Sequence, residues 1–521
     1  MLRYIRNLKS SAWRDIPKSC CSYLARSDRS DVQLTLPTVV PSEFASRICP
    51  LAVPALIEKL SHRVPCGPML SPTNLLCNKP QPKTVPIPEE INLHRAVVLE
   101  DLNTYIKAKS AFKAPYRKQQ VFAHVLVVAG AESTKGCPFY QSSEFQYLCD
   151  CSRPQSALVL YRSRKKKTWA ILFIFEEVDS QVAAVLTGMH HVDEVLPLTR
   201  LKERLAMLLK DSPKLWHTLE RSNAVSRLVN EVAEISQTPV NNPRYIMEHT
   251  RSVKTARELG AIRQANTIAA ESMAAVIARQ MSQRHHHKLQ PQDLITIFDF
   301  KCRRHYGHPD KSFKAKVMGG YSDTALWHME AGCQYEGYQG GLARTWPGSG
   351  RFTPPQKLLY DALLDMHRDL CELIQCGDAG GPVRTPLDIH AAYLILLARY
   401  LEELHVLPKT LRSPKETVKA AANYNCSPVA VCHVGLDPCE TSHQLLKCPL
   451  VPGNVISLNL SISIPDNCFQ AYPEFRGVFC QLGNTLHIGE NCKVEVLTVQ
   501  CPVKYKFSSS ENLNVKELKI I

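Results

Sequence analysis

Short apolar runs alternate with segments of helical periodicity along this chain, and this alternation limits it to folds that combine sheets with helices. Residues 121–129 form one apolar run, which predicts a buried strand. Residues 157–161 and 169–175 form two more and flank the basic stretch 162–167, an order that predicts a β-hairpin. Together these signals predict a small mixed α/β domain over residues 91–240.

A second block, residues 241–505, opens with apolar side chains at helical spacing over 253–281. With 521 residues, the chain is expected to hold more than one domain. The proline-rich stretch 31–90 is predicted to be a linker or wrapping arm, and residues 506–521 a tail. The other elements predicted in the second block are helices over 355–376 and 387–404 and strands over 455–464 and 494–499.

The first thirty residues carry seven basic side chains against two acidic ones, a charge of +5 within a total of +15. They are rich in serine, and Leu2, Ile5 and Leu8 recur at three-residue spacing without a following apolar core. Residues 1–30 are therefore predicted to be a mitochondrial transit peptide rather than a secretory signal, with a disordered basic tail as the alternative. A location in the mitochondrial matrix predicts that the twenty cysteines are mostly reduced.

The cysteine spacing also argues against a zinc-finger type of site. Cys20-Cys21 and Cys149-x-Cys151 are closer together than ordinary zinc-ligand pairs, and no two C-x-x-C motifs occur. The absence of an eighteen-residue apolar run predicts that no segment spans a membrane. The basic stretch 162–167 and the group Lys301, Arg303 and Arg304 are interpreted as solvated, with contacts to phosphate as the alternative.

Several segments, in order, resemble the aminopeptidase P family, and its mitochondrial branch most closely. The first is Phe139-Tyr-Gln-Ser-Ser-Glu-Phe-Gln-Tyr-Leu148, where the family has F-R-Q-D-S-x-F-x-Y-L. The resemblance covers about residues 90–505 and implies a mixed α/β (α+β) chain, with a small N-terminal domain followed by a pita-bread domain. The matches in the second domain include Glu330-Ala-Gly-Cys-Gln-Tyr-Glu-Gly-Tyr338, Arg344-Thr-Trp-Pro-Gly-Ser-Gly-Arg-Phe-Thr-Pro-Pro-Gln356, Val434-Gly-Leu-Asp437 and Pro449-Leu-Val-Pro-Gly-Asn-Val455.

The resemblance also implies where the metal ligands should be. Active members hold two divalent ions, usually manganese, with two aspartates, a histidine and two glutamates, and they remove an N-terminal residue that precedes proline. The positions that match these five ligands hold Glu330, Gly341, Cys432, Asn459 and Gly483, in that order. Three further pocket histidines of the family fall at His328, Pro428 and Cys439.

These replacements predict a chain without the family's metal chemistry. Hard ions such as manganese need oxygen ligands, and of the four family carboxylates only Glu330 has a counterpart. Without metals no hydroxide nucleophile forms near neutral pH. We therefore expect no cofactor, no catalytic residues and a fold that is stable without metal. A rebuilt single-metal site of Glu330, Cys432 and His433, and a Cys439–His443 nucleophile pair, are the alternatives.

Three functions are compatible with this sequence. The first is a non-catalytic binding or scaffold protein in mitochondria that recognises a protein or peptide. The second is an active Xaa-Pro aminopeptidase, which rests on whole-fold similarity alone. The third is an RNA-associated or mitoribosome-associated factor, which the basic composition suggests and which predicts salt-sensitive RNA binding. A homodimer is compatible with all three.

Overall fold

A computed structural model describes the chain from residue 87 to residue 503, with gaps. Two compact units divide it, one ending at Gly260 and the other beginning at Ala261. The predicted segments 1–30 and 506–521, most of the predicted arm 31–90, and Pro428 and His443 lie outside the described residues. The described residues are 87–113, 123–133, 139–212, 214–219, 223–282, 289–305, 307–309, 315–319, 325–375, 384–408, 413–427, 429–440, 442, 444–490 and 492–503.

The first unit alternates helices and strands, as its sequence predicts. The hairpin predicted around the basic stretch is confirmed, because the strands on either side of it pair antiparallel. The elements are α1 (Ile87–Lys113), β1 (His124–Ala129), α2 (Ser143–Leu148), β2 (Ala157–Arg162), β3 (Thr168–Ile174), α3 (Ser180–His190), β4 (Glu194–Pro197), α4 (Leu201–Asp211), β5 (Leu215–His217), α5 (Ala224–Ile235), β6 (Val240–Asn241) and α6 (Arg244–Ser252).

The six strands of this unit form one mixed sheet in the order β4-β3-β2-β1-β5-β6. β1, β2 and β3 pair antiparallel, and the outer strands β4, β5 and β6 pair parallel to their neighbours. Helix α4 buries Leu201, Leu205 and Leu209, which are spaced four apart and therefore share one face. These leucines pack with Val127 and Val229 into the core on one side of the sheet.

The first unit extends about twenty residues beyond the boundary predicted near residue 240. The reason is a set of polar contacts made by α6 and by the segment that follows it. Thr250 donates a hydrogen bond to Asp101 at 2.6 Å, and Arg257 bonds to Glu90 at 2.7 Å. Both partners lie on α1, so residues 244–260 pack with the first unit.

The second unit consists mostly of long helices and antiparallel strands. The helices predicted over 253–281, 355–376 and 387–404 are confirmed within one to three residues, whereas the last predicted strand is shorter than expected. The elements are α7 (Ala256–Ser282), α8 (Pro291–Arg304), β7 (His308–Pro309), β8 (Lys316–Met318), β9 (Leu326–Tyr335), β10 (Tyr338–Pro347), α9 (Pro354–Gln375), α10 (Pro386–Glu403), α11 (Pro414–Ala421), β11 (Val431–His433), β12 (Val455–Ser463), β13 (Phe479–Ile488) and β14 (Val494–Val496). Helix α7 begins in the first unit and continues into the second.

Eight strands of this unit form one sheet in which every pair is antiparallel. Its main path runs β11-β12-β13-β10-β9-β7. On β12 the alternate residues Ile456, Leu458 and Leu460 are fully buried and pack with α9 and α10. Because neighbouring residues of a strand point to opposite faces, this alternation places Ser457 and Asn459 on the other face.

The β9–β10 hairpin shows the same alternation. Trp327, Met329 and Ala331 on β9 pack with Trp346 on β10 in a core that α7 and α8 cover. The intervening β9 residues therefore face the opposite side of the sheet. None of the described helices is long and apolar enough to cross a membrane.

Two buried histidines of this unit act as hydrogen-bond acceptors. The Nδ1 atom of His390 accepts from the backbone N–H of Ala430 at 3.2 Å. His367 Nε2 lies 2.9 Å from Nδ2 of Asn484 and accepts from it. Burial lowers the pKa of both histidines to about 4. Both imidazoles are therefore neutral at pH 7, as accepting these hydrogen bonds requires.

We predict that the free energy of unfolding falls as the pH drops from about 6.5 towards 4. The unfolded chain takes up protons near the ordinary histidine pKa of about 6.5, whereas the folded chain takes them up only near pH 4 at these two sites. Each such histidine removes about 1.4 kcal/mol per pH unit across this window. Urea unfolding followed from pH 7 to pH 4.5 measures the slope.

The variant His390→Gln retains an acceptor oxygen and removes the titrating ring, so its stability should depend less steeply on pH than that of the parent. The exposed residue His305, changed to glutamine, is the matched control and should leave the slope unchanged. A parental slope retained in His390→Gln would contradict this account.

Candidate functional site

The strand register brings three of the five ligand positions into one row across the second sheet. Glu330 on β9 lies opposite Ala343 on β10, which lies opposite Gly483 on β13, which lies opposite Asn459 on β12. All four residues share the sheet face opposite the buried helices, because their strand neighbours fill the cores.

The other two ligand positions, Gly341 and Cys432, belong to the same face. Gly341 is two residues before Ala343 on β10 and pairs with Gly332. Cys432 pairs with Ser457, two residues before Asn459 on β12. Side chains on one strand return to the same face every second residue, so the five positions point to a common side of the sheet.

An amide and a carboxylate are hydrogen-bonded where the ligand row would hold metal. Asn459 Nδ2 donates to Glu330 Oε1 at 2.9 Å. Gln481 Nε2 in turn donates to Asn459 Oδ1 at 2.7 Å. A carboxylate can only accept, so this chain of bonds turns the amide N–H of Asn459 towards Glu330. A donor in that orientation cannot serve as a ligand to a cation.

The remaining charge near Glu330 comes from Lys316 on β8. Its ammonium lies 3.8 Å from Glu330 Oε2, with the lysine side chain 73% exposed and the glutamate 15% exposed. A pair so open to solvent contributes little to stability. Glu330 is thus held mainly by Asn459, and its second oxygen faces the exposed ammonium of Lys316.

The two glycines at ligand positions differ in the space around them. A Cβ atom on Gly341 would have no neighbour closer than the Ala331 carbonyl oxygen at 3.5 Å, an ordinary contact distance. A Cβ atom on Gly483 would lie 3.0 Å from the Ala343 backbone nitrogen, the Ala343 Cβ and Asn459 Oδ1. A side chain therefore fits at Gly341, but at Gly483 the neighbouring strands must shift to admit one.

The histidine ligand position holds a half-buried thiol, and the adjacent histidine faces away from it. Cys432 shares the face of the ligand row, whereas His433 pairs with Ile456 and is buried on the core side. These two residues therefore do not converge on one ion. This geometry argues against a metal site that uses both Cys432 and His433. Cys439 is exposed in the loop that precedes Glu440.

His328 lies on the row face, two residues before Glu330 on β9. It is 3% exposed and contacts the ring of Phe479 edge-on, with the ring centroids 5.0 Å apart. Burial lowers its pKa to about 4, so the imidazole is neutral at pH 7. His328 therefore adds no positive charge beside Glu330.

Behind the row, Arg344 is completely buried and bonded to neutral oxygens. Its guanidinium donates to the backbone oxygens of Ala343, Gly483 and Cys501, and to Asn484 Oδ1 at 2.9 Å. Neutral dipoles therefore surround this guanidinium beside the site.

Sequence reasoning missed the side chains that connect the row. Gln481 lies two residues before the ligand position Gly483, and Ala343 lies two residues after Gly341. Alternation along a strand would have placed both on the same face as the ligand positions. Lys316 carried no sequence signal, because only β8–β9 pairing brings it near Glu330. The basic side chains of residues 164–167 are exposed on the β2–β3 turn, as expected for a solvated turn.

Sequence comparison relates this chain to metallopeptidases. The profile of metallopeptidase family M24 matches residues 252–490. Xaa-Pro aminopeptidase 3 of Homo sapiens is 25% identical over 399 residues, which cover 70% of this chain and 75% of that protein. The mitochondrial intermediate cleaving peptidase 55 of Arabidopsis thaliana is 25% identical over 395 residues, covering 71% and 74%.

Solved structures share the fold at lower sequence identity. Proline aminopeptidase P II from Yersinia pestis superposes with a TM-score of 0.62 and 19% identity, covering 80% of this chain and 96% of that one. Zinc-substituted aminopeptidase P from E. coli gives a TM-score of 0.64 at 19% identity, covering 80% and 95%. These neighbours have the pita-bread fold that the sequence predicted. These comparisons confirm the resemblance of the chain to the aminopeptidase P family.

Proposed function

We propose that this protein is a catalytically inactive member of the aminopeptidase P family that binds a protein or peptide in mitochondria. The hydrogen bond from Asn459 to Glu330 is the observation that carries the proposal. It uses the one remaining carboxylate of the ligand set and directs an N–H group towards the space that a cation would need. A site built in this way has no means of generating a metal-bound hydroxide.

Charge balance supports the same conclusion. Two divalent ions bring four positive charges, and only Glu330 among the five ligand positions is acidic. The ions would also meet Lys316 at the surface and Arg344 behind the sheet. Uncompensated charges in a partly buried site are costly, so the replacements favour an empty, neutral cleft.

The mitochondrial location rests on composition and on one relative. The first thirty residues are basic and rich in serine, as transit peptides are. The Arabidopsis thaliana relative carries the word mitochondrial in its name. We propose the matrix as the compartment and a polypeptide as the ligand class, because relatives with this fold are named as peptidases.

The direct test is hydrolysis of an Xaa-Pro peptide by the purified full chain, with manganese, cobalt or zinc supplied in turn. We expect no turnover above a blank preparation. The control is Glu330→Ala, which removes the last acidic ligand position. Turnover that Glu330→Ala abolishes would establish the alternative, an active Xaa-Pro aminopeptidase; turnover unaffected by it would come from a contaminating peptidase.

The unequal space at the two glycines gives a prediction about stability. Gly483→Ala should lower the free energy of unfolding by about 1–3 kcal/mol, the usual cost of overpacking, because its Cβ meets Ala343 and Asn459 at 3.0 Å. Gly341→Ala is the matched control. Its Cβ meets nothing closer than 3.5 Å, so stability should stay the same or rise by up to about 1 kcal/mol. Urea denaturation measures both, and equal effects would contradict the strand packing at Gly483.

The same contrast predicts how far the metal site can be rebuilt. Gly341→Asp should fold normally because the space is open, yet it should not produce peptidase activity, since positions 432, 459 and 483 still lack the family ligands. Peptide hydrolysis assayed with manganese checks this. Activity from this single change would mean that the remaining ligand positions have been assigned to the wrong residues.

A further inference from the structure

A group of metal-ligating side chains lies in the first unit, outside the site described above. Cys149 directly follows helix α2, Asp150 comes next, and His190 is the last residue of α3. One ligand atom from each of the three lies within 4.8 Å of the other two. Cys149 and His190 are buried and Asp150 is exposed, so the group has one side open to solvent.

A hydrogen bond connects the histidine of this group to its carboxylate. His190 Nδ1 lies 2.7 Å from Asp150 Oδ1. Carboxylates beside metal-binding histidines commonly fix the orientation of the imidazole ring in this way.

A buried arginine holds the two segments of the group together. Arg95 Nε donates to the Leu148 carbonyl at 2.8 Å, next to Cys149, and its Nη2 donates to the His190 carbonyl at 3.2 Å. Arg95 thus anchors the end of α2 and the end of α3 to the same guanidinium. The ligand-bearing residues are therefore positioned by the fold before any ligand arrives.

We propose that Cys149, Asp150 and His190 bind one divalent ion of the zinc class, with the fourth position open to solvent on the side of Asp150. Sulfur, nitrogen and oxygen donors in this combination suit a borderline-soft ion in tetrahedral geometry and not manganese. One thiolate and one carboxylate supply two negative charges, which balance the charge of a divalent ion.

The sequence spacing alone argued against this site, because Cys149-x-Cys151 is too short for an ordinary zinc-ligand pair. The structure supplies what spacing could not, a histidine from forty residues further along the chain. Without an ion, burial raises the pKa of the Cys149 thiol to about 12, so this thiol stays protonated. An ion that binds must therefore displace that proton, as is usual for thiolate ligands.

Among the described residues, a second trio of possible metal ligands already bonds to other protein groups. One ligand atom from each of Glu90, His94 and Glu258 lies within 4.8 Å of the other two. Arg257 forms an ion pair with Glu90 at 2.7 Å, and Glu258 accepts from the Thr255 backbone N–H at 2.7 Å. That trio is a structural polar network, whereas Asp150 at the proposed site faces solvent.

The test is titration of the reduced, chelator-treated full chain with zinc, in competition with a chromophoric chelator, and separately with cobalt. We expect one zinc ion per chain that binds in competition with the chelator, together with thiolate-to-cobalt charge-transfer absorption. Cys149→Ser should remove most of that absorption. Asp150→Asn should weaken zinc binding at least about tenfold, because it removes a charged ligand and the carboxylate that orients His190.

The control is Cys426→Ser, an exposed thiol in the second unit, which should change neither signal. No charge-transfer band in the parent chain, or a band reduced equally by Cys149→Ser and Cys426→Ser, would overturn the proposal. Circular dichroism establishes that each variant is folded. If Cys149→Ser fails to fold, Asp150→Asn decides the question, because this side chain is exposed, and zinc affinity equal to that of the parent would then count against the site.

Discussion

The antiparallel register of β9, β10, β13 and β12 brings Glu330 and Asn459 together although 129 residues separate them. This single row determines what the face of the sheet can bind. The amide at Asn459 satisfies the carboxylate at Glu330, and Gly483 between them leaves room only for a closely packed backbone. The strands therefore place the predicted ligand positions on one face, and the side chains there are hydrogen-bonded to one another.

The loss of charge extends beyond the ligands. Removing metals from a cleft that kept four carboxylates would leave like charges close together, which raises pKa values and lowers stability. Here three of the positions predicted to match family carboxylates hold Gly341, Asn459 and Gly483, and buried Arg344 donates to the amide oxygen of Asn484. His328, His367 and His390 are held neutral by burial. These three imidazoles therefore add no charge to the second unit at pH 7.

Much of this architecture could be predicted from the sequence, because alternation and helical periodicity reflect burial directly. The β2–β3 hairpin and helices α9 and α10 were predicted within a few residues, and motif order indicated the family. The side-chain network could not be predicted, since the bonds from Gln481 to Asn459 and from Asn459 to Glu330 depend on strand pairing. The same holds for the first unit, where only tertiary packing brings His190 to Cys149, and for the polar contacts that attach residues 244–260 to α1.

The most direct measurement of the central claim is the uptake of Mn²⁺ by the sheet face that carries Glu330. The full chain is treated with chelator and titrated with Mn²⁺ while electron paramagnetic resonance reports the free ion. A Cys149→Ser background removes the other proposed site. We predict that the free-ion signal rises in proportion to the Mn²⁺ added, from the first addition onwards. Glu330→Ala should leave this curve unchanged. Uptake of two ions per chain that disappears in Glu330→Ala would contradict the account.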